Sequence, residues 1–371
     1  MKIIALGGAG DMGSYAVRDL ARQDEVEELM IADYDEDKAK LLAGELGARC
    51  KAMKVDANNA SELVRAIEGY DVATSAIGPF YKYEFKVAKA AVEAGVSYVS
   101  ICDDYDAAEA VFGLDEEAKK KGVTVLTGLG WTPGLSNILA KKGADDLDEV
   151  EEIAVAWGGS ASDSEGYAVV LHTIHIFTGF VPSFQNGRMK QVQAGSEREK
   201  ILFPEPVGEI YVYHLGHPEP VTIPRFMQAR TVTLKGGLSE EELNRITIWI
   251  AKLRLTTTVN RKDRTGKLIK ALLPVLSRIG KPENPCSAIR VDVSGKKKGV
   301  WRQVTYGAAD HMNALTGVPL AIGALMLGRG EIKVKGVLAP EGCVDPDGFL
   351  SELARRDIKV YEGQRFEKAI N

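Results

Sequence analysis

Three glycines near the start of the chain have a spacing suited to holding phosphate. Gly8, Gly10 and Gly13 fit G-x-G-x-x-G between an apolar run, Met1 to Leu6, and a helix-period segment from Ser14 to Leu20. In this pattern Gly8 allows the tight turn out of a strand. Gly10 lets a pyrophosphate reach backbone N–H groups with no Cβ in the way, and Gly13 lets the helix pack close to the sheet. The helix N-terminus, with Asp11 and Met12 in its first turn, then offers its positive dipole end to the phosphates. A second strand pattern, Glu28 to Ala32, ends in Asp33, twenty residues after Gly13. An acid there accepts hydrogen bonds from both ribose hydroxyls of an adenosine and repels a 2′-phosphate. The combination implies a bound dinucleotide, NAD ahead of NADP. Asp35 and Asp37 are close enough to confuse the register. The plainer alternative is a glycine turn that binds nothing, with Asp33 capping the next helix.

Other chemistry-bearing residues fall after later strand patterns, where a parallel sheet places its ligands. Asp56 and Ala57, the turn Ala76-Ile77-Gly78-Pro79, and Cys102 are candidates for lining the cofactor. Asp103 and Asp104 follow directly. Adjacent carboxylates in a cleft can hold a substrate ammonium or act as a base; Asp103 is the catalytic candidate and Asp104 a substrate-binding one, with a helix N-cap as the alternative. A nucleophilic role for Cys102 would need a base and an oxyanion site, and no residue pattern marks either. His172 and His175 stand at helical spacing: His175 is a candidate for proton transfer and His172 for the substrate pocket, or both are structural. No third ligand accompanies them, so no metal is expected. Trp131, Arg225 and Arg302 are candidates for the substrate itself, the arginines as forks for a carboxylate. His214 and His217 flank a glycine in a proline-rich stretch and read as turn structure.

The elements that must position these groups alternate over the first third of the chain. Strand patterns at Lys51–Val55, Asp71–Ile77, Ser97–Ile101 and Val123–Thr127 join the first two, with helices at Ala60–Ile67, Phe85–Ala94 and Asp115–Lys121. Six strands with intervening helices predict an α/β fold, an N-terminal Rossmann doubly wound parallel sheet. After Leu135 the pattern becomes α+β: a strand at Val150–Trp157, loops with short strands over 195–230, a helix Ser239–Leu253 opened by a Ser239/Glu242 capping box, and a hairpin across Lys296-Lys297-Lys298. A mixed or antiparallel sheet follows. The expected division is 1–134 for the dinucleotide, 135–307 for substrate and dimerisation, and 308–371 returning to pack on the first domain, with its helix broken near Gly317 and Pro319.

Composition sets outer limits. The 371 residues carry 47 basic and 52 acidic side chains, net −5, which argues against a nucleic-acid binder. The longest apolar run near the C-terminus, Val318 to Leu327, is too short to span a bilayer. The four cysteines have no metal-like spacing and read as reduced thiols of a cytoplasmic protein.

The stretch Gly128-Leu129-Gly130-Trp131-Thr132-Pro133-Gly134-Leu135-Ser136-Asn137 resembles the link between domains of the saccharopine dehydrogenase-like family, which includes saccharopine reductases, lysine 6-dehydrogenases and carboxynorspermidine reductases. Asp56-Ala57, Gly78-Pro79-Phe80 and Tyr98-Val99 match further features of that family's first domain, and "MNALTGVPLAIGALMLGRGEI" its C-terminal part. Thr132 departs from the acid that saccharopine reductases usually carry before the Pro-Gly. The resemblance implies hydride exchange at a carbon bearing nitrogen, through an imine, on an amine or amino acid, with lysine the first substrate to test and a homodimer plausible. Semialdehyde or enoyl reduction on the same scaffold, or a non-catalytic NAD sensor, are the alternatives.

Overall fold

The computed structural model describes residues 1–163, 166–276, 280 and 282–371. The backbone divides into two compact units, Met1–Leu135 with Asn313–Val344, and Ser136–Met312 with Asp345–Asn371.

The first unit opens with β1 (Lys2–Leu6), α1 (Asp11–Leu20), β2 (Glu28–Asp33), α2 (Glu36–Leu46), β3 (Cys50–Lys54), α3 (Ala60–Ile67), β4 (Val72–Ser75), α4 (Phe80–Ala94), β5 (Ser97–Ser100), α5 (Tyr105–Val111), α6 (Asp115–Lys121) and β6 (Thr124–Leu126). All of these strands pair in parallel. Ile3, Ile4, Leu6, Val72 and Ala73 are buried whichever face they occupy, as a sheet covered on both sides requires. Helix boundaries follow local chemistry. Asp35 caps α2 by accepting from Lys38 N, so Asp33 is left at the strand end. Gly95 and Gly122 close α4 and α6 in the left-handed conformation. Helix α4 starts at Phe80, earlier than the Phe85 that the apolar periodicity suggests, because Pro79 supplies the cap position and Asp104 Oδ2 accepts from Tyr81 N at 2.8 Å.

The second unit contains α7 (Leu135–Asp145), β7 (Glu149–Gly159), α8 (Tyr167–Ile176), β8 (Phe180–Gln185), β9 (Arg188–Gln193), β10 (Glu199–Leu202), β11 (Glu209–His214), α9 (Glu219–Phe226), β12 (Thr231–Leu238), α10 (Glu241–Lys252), α11 (Val259–Leu276), β13 (Ser287–Lys297) and β14 (Val300–Asp310). Its sheet is mixed: β12 runs parallel to β7, while β7–β13 and β13–β14 are antiparallel. Lys298 and Gly299, both at positive φ, turn the β13–β14 hairpin, so the lysine run sits at its tip. The expected capping box is not used. Glu240 takes the cap position of α10, and its carboxylate accepts from Ser160 Oγ at 2.7 Å and Ala161 N at 3.0 Å. The proline-rich stretch expected as loops and short strands holds α9, which tolerates Pro220 in its first turn and Pro224 further on.

The chain then returns to the first unit with α12 (Met312–Gly328) and β15 (Gly336–Leu338). Strand β15 extends the first sheet to seven strands in the order β15-β6-β5-β4-β1-β2-β3. Helix α12 is continuous through Gly317 and Pro319, contrary to the expected break. Gly317 is required for another reason: a Cβ there would lie 2.8 Å from Met12 O and 2.6 Å from Tyr15 Cβ, so it lets α12 lie against α1. The segment 308–371 is divided rather than returning whole: α13 (Pro346–Ala354), β16 (Val360–Glu362) and β17 (Lys368–Ala369) belong to the second unit, where β16 pairs with β14. Among the described residues no helix is long and apolar enough to cross a membrane.

Candidate active site

In the first unit the glycine turn forms a built cradle. The positive-φ residue is Gly7 (φ +72°), one place before the Gly8 assigned to the tight turn from spacing. Gly8 is needed for contact: its Cβ would lie 2.8 Å from Ala5 O. Gly13 lies closest of all, since a Cβ there would stand 2.2 Å from Gly7 O. Gly10 differs. It caps α1 with φ −72° and ψ 175° and no side chain to fold back on the first-turn amides. Its Cβ direction meets only Gly7 O, at 3.2 Å. This leaves a face where an anion can approach the N–H groups around Asp11 and Met12. Asp11 is itself held by Asn313 Nδ2 at 2.8 Å.

Asp33 is fixed beside this cradle: Oδ2 accepts from Ala9 N at 3.0 Å and Oδ1 from Asp35 N at 3.1 Å. A carboxylate has lone pairs beyond these two for ribose hydroxyls. Tyr34, Asp35, Glu36, Asp37 and Lys54 line a cavity next to it. The next turns along the edge are shaped locally. Asp56 Oδ1 accepts from Asn58 N at 2.9 Å, and Ile77 N donates to Ser75 Oγ at 3.3 Å. Gly7 packs on Ala76 and Ile77, where a Cβ would come within 3.0 Å. The geometry thus fits a dinucleotide held by Gly8, Gly10, Asp11, Met12, Gly13 and Asp33, with Asp56, Ala57, Ala76, Ile77, Gly78 and Pro79 along the same edge.

A buried carboxylate that the sequence reading passed over orders the rest of this edge. Glu84 of α4 is 1% exposed. It accepts from Ser100 Oγ at 2.6 Å, Tyr98 Oη at 2.9 Å and Thr127 Oγ1 at 3.2 Å. Burial pushes its carboxyl up to about 7, against the pull of the three hydroxyls and with the help of Asp104. Ser100 Oγ also accepts from Cys102 N at 3.4 Å. The network therefore ties α4 to the ends of β5 and β6, from which Cys102–Asp104 and Gly128–Gly134 emerge. Asp104 is fully buried and tethers Tyr81 N, which makes it a brace between β5 and α4; Asp103 is the more accessible of the pair. Cys102 is fully buried, and burial drives its thiol well above the ordinary range, which disfavours the thiolate a nucleophile needs. Trp131 sits 7% exposed in a loop pinned by Gly130 N to Pro133 O at 2.9 Å.

The second unit holds a histidine cluster. His172 and His175 share α8 but meet different neighbours. His175 is buried against Lys262 Nζ of α11. His172 meets His217 edge-on, with ring centroids 5.2 Å apart. Trp157 of β7 is tilted against His217, with ring centroids 5.8 Å apart. Its indole lies over Gly236 of β12, where a Cβ would stand 2.1 Å from the ring. His217 Nδ1 is 3.8 Å from Glu219 Oε2, and both side chains are almost wholly buried. Ser136 Oγ donates to Glu219 Oε1 at 2.8 Å, and Asn137 Nδ2 to Thr222 Oγ1 at 3.3 Å. His217, Glu219 and Lys262 were absent from the expected set. The signal for the first two was His217-Pro218-Glu219-Pro220, a helix start with proline in its first turn. His214 pairs with Glu197 at 2.8 Å.

Both candidate arginines are exposed. Arg225 is exposed in the last turn of α9. Arg302 is exposed and opposite Gly295, six residues along β13 from the Ile289 that pairs with Trp157. At ~3.3 Å per residue this is roughly 20 Å along the strand from Trp157.

The saccharopine dehydrogenase NADP binding domain matches residues 3–126, and the saccharopine dehydrogenase C-terminal domain matches residues 219–358. The carboxynorspermidine synthase of Vibrio alginolyticus is 25% identical over 347 residues, covering 82% of this chain and 81% of that protein. The carboxyaminopropylagmatine dehydrogenase of Synechocystis sp. is 22% identical over 395 residues, covering 98% of each. The apo saccharopine dehydrogenase (L-Glu forming) of Saccharomyces cerevisiae superposes with a TM-score of 0.68 at 18% identity over the whole of both chains, a likeness of fold.

Proposed function

Starting from the fact that the chain belongs to the saccharopine dehydrogenase-like family, its two domain models together covering most of its length, we propose that it is an NAD(P)-dependent oxidoreductase acting on the C–N bond of a carboxylated amine, through an imine. The observation that carries this reading is the glycine cradle with Asp33 fixed beside it. A dinucleotide bound there supplies or receives the hydride. The α1 amides would hold its pyrophosphate and Asp33 its ribose. Asp103 is the carboxylate nominated to hold a substrate ammonium, with Asp104 and Glu84 fixing its turn. Cys102 serves as buried filling, and Trp131 as an apolar wall. His172 and Arg225 remain candidates for substrate contact, and His175 for proton transfer through its contact with Lys262.

The relatives' names, which join a carboxyl to a polyamine or agmatine, support this substrate class; free lysine is the comparison substrate. NAD is the preferred cofactor because a carboxylate at the end of β2, fixed beside the glycine turn, would repel a 2′-phosphate. A second reading, NADP, is favoured by Lys54, which pairs in register with Asp33 on the neighbouring strand. The enzyme is read as cytoplasmic and homodimeric. The exposed apolar residues Ile246 and Trp249 of α10 with Leu253 at its C-cap, and Leu268, Leu272 and Val275 on α11, are where a second copy would dock.

The test is absorbance at 340 nm in alkaline buffer, with carboxynorspermidine, carboxyaminopropylagmatine, saccharopine and lysine each offered with NAD and with NADP. Turnover of an N-carboxyalkyl amine is expected, faster with NAD. Silence with every amine in the presence of bound dinucleotide defeats the C–N reading. For Asp33→Ala, the kcat/KM ratio of NAD to NADP is expected to fall by about 100-fold, as two hydrogen bonds to a charged group and one charge repulsion are lost. An unchanged ratio means that Asp33 does not touch the ribose.

A further inference from the structure

We propose that Glu84 is a proton-linked counter-charge for the oxidised nicotinamide ring: its buried carboxyl releases a proton to solvent when the oxidised dinucleotide binds and takes one up when the ring is reduced. The inference rests on the dinucleotide reading of the glycine cradle, and every residue it uses belongs to the first unit. A dinucleotide spans both mononucleotide-binding halves of a doubly wound sheet. With the adenosine at the end of β2, its nicotinamide would lie over the carboxyl ends of β4, β5 and β6. The ring carries one positive charge when oxidised and none once it has accepted hydride. A carboxyl fixed at those strand ends feels the difference.

The hydrogen bonds put Glu84 at that place. Of its three hydroxyl donors, Ser100 is the last residue of β5, Thr127 follows the last residue of β6, and Tyr98 stands on β5. Tyr98 is also hydrogen-bonded to Ser75, the last residue of β4. Ser75 Oγ in turn accepts from Ile77 N, in the turn Ala76–Pro79 assigned to the cofactor edge. The carboxyl is thus joined to all three strand ends and to the turn that leads into its own helix. The titratable groups facing it are Tyr98 and, past the end of β5, Cys102 and Asp104. None of these carries positive charge, and Asp104 opposes a second negative one. Helices α3, α5 and α6 also pack on α4, and the residues they bury are apolar. The oxidised ring is the positive charge that this set lacks. Burial already holds the carboxyl at about 7, so a positive charge nearby tips it to the ionised form at neutral pH. Linkage fixes the sign. An ionised Glu84 attracts the oxidised ring and gains nothing from the reduced one, so the preference for the oxidised form grows as pH rises and levels off once Glu84 is ionised in both complexes.

Binding to the full-length protein tests the assignment without turnover. NADH and NADPH are titrated by their fluorescence, with NAD and NADP as competitors, between about pH 5.5 and pH 8.5. For the dinucleotide pair that binds more tightly, the ratio of the oxidised to the reduced Kd is expected to fall by about 10-fold across this range in the wild type. In Glu84→Gln it is expected to stay level. In Thr127→Val, which removes one hydroxyl donor to the carboxylate and keeps the shape, the fall is expected at higher pH. An equal slope in wild type and Glu84→Gln overturns the proposal while leaving dinucleotide binding intact. If Glu84→Gln does not fold, Thr127→Val decides, and an unmoved midpoint overturns the proposal. Proton release into weakly buffered solution at neutral pH gives a second readout: the oxidised form is expected to release more than the reduced form from the wild type, and equal release overturns the proposal. Failure of the wild type to bind any of the four dinucleotides overturns it together with the reading of the cradle.

Discussion

Replacing Gly13 by alanine is expected to weaken dinucleotide binding by roughly 100-fold or more and to lower stability by ~1–3 kcal/mol, whereas replacing Gly10 by alanine is expected to cost the binding alone. The difference comes from what each new methyl meets. At Gly13 it would lie 2.2 Å from Gly7 O and 3.0 Å from Gly8 Cα, so α1 must move by about 1 Å relative to the turn, in a protein with or without ligand. At Gly10 the methyl meets only Gly7 O at 3.2 Å, and the backbone there, φ −72° and ψ 175°, suits any residue. The apoprotein tolerates that change, but the methyl occupies the approach to the α1 amides. NADH fluorescence titration reports the affinities and thermal unfolding of the apoprotein reports the stabilities. Equal loss of stability in both variants would show that the cradle is packed differently; wild-type binding by Gly10→Ala would show that phosphate does not approach there.

Much of this first unit is legible in the amino-acid sequence alone because its determinants are local. The apolar runs of β1 and β2, the glycine spacing and the terminal Asp33 all lie within thirty-three residues, and each has a one-step physical meaning. The ambiguity among Asp33, Asp35 and Asp37 is resolved only by the capping of α2 by Asp35. The assignment of the sharp turn to Gly8 rather than Gly7 missed by one residue for the same reason: neighbouring glycines look alike until φ is known. The second unit is harder to read because its determinants are remote. Trp157 finds its place over Gly236, seventy-nine residues later, through a parallel pairing that no short-range pattern reveals. Likewise Ser136 meets Glu219 across eighty-three residues. Prolines at 218, 220 and 224 suggested loops, although proline in a first turn is compatible with a helix start.

Glu84 was, by contrast, visible and overlooked. It lies on the buried stripe of α4 with Phe80, Val87, Ala88 and Ala91, and an acid on an apolar helix face signals an internal partner. Its consequence is a pH-dependent stability that glutamine should abolish. Burial holds the folded carboxyl at about 7 against 4.5 for an ordinary glutamate. Between these values the folded protein binds the proton and the unfolded chain does not, so stability falls as pH rises through that window and levels off above it. A shift of this size corresponds to about 3 kcal/mol over the window. Glutamine keeps the shape, and the hydroxyls of Tyr98, Ser100 and Thr127 can rotate to serve its amide. The Glu84→Gln protein is therefore expected to lack this component, with the urea unfolding free energy of the wild type falling relative to the variant between pH 5 and pH 8. Other titrating groups cancel in the difference. A difference that stays flat with pH would mean that Glu84 carries its charge in the folded protein throughout, balanced by the three hydroxyl donors, and that the ends of β5 and β6 are braced by a carboxylate rather than by a carboxylic acid.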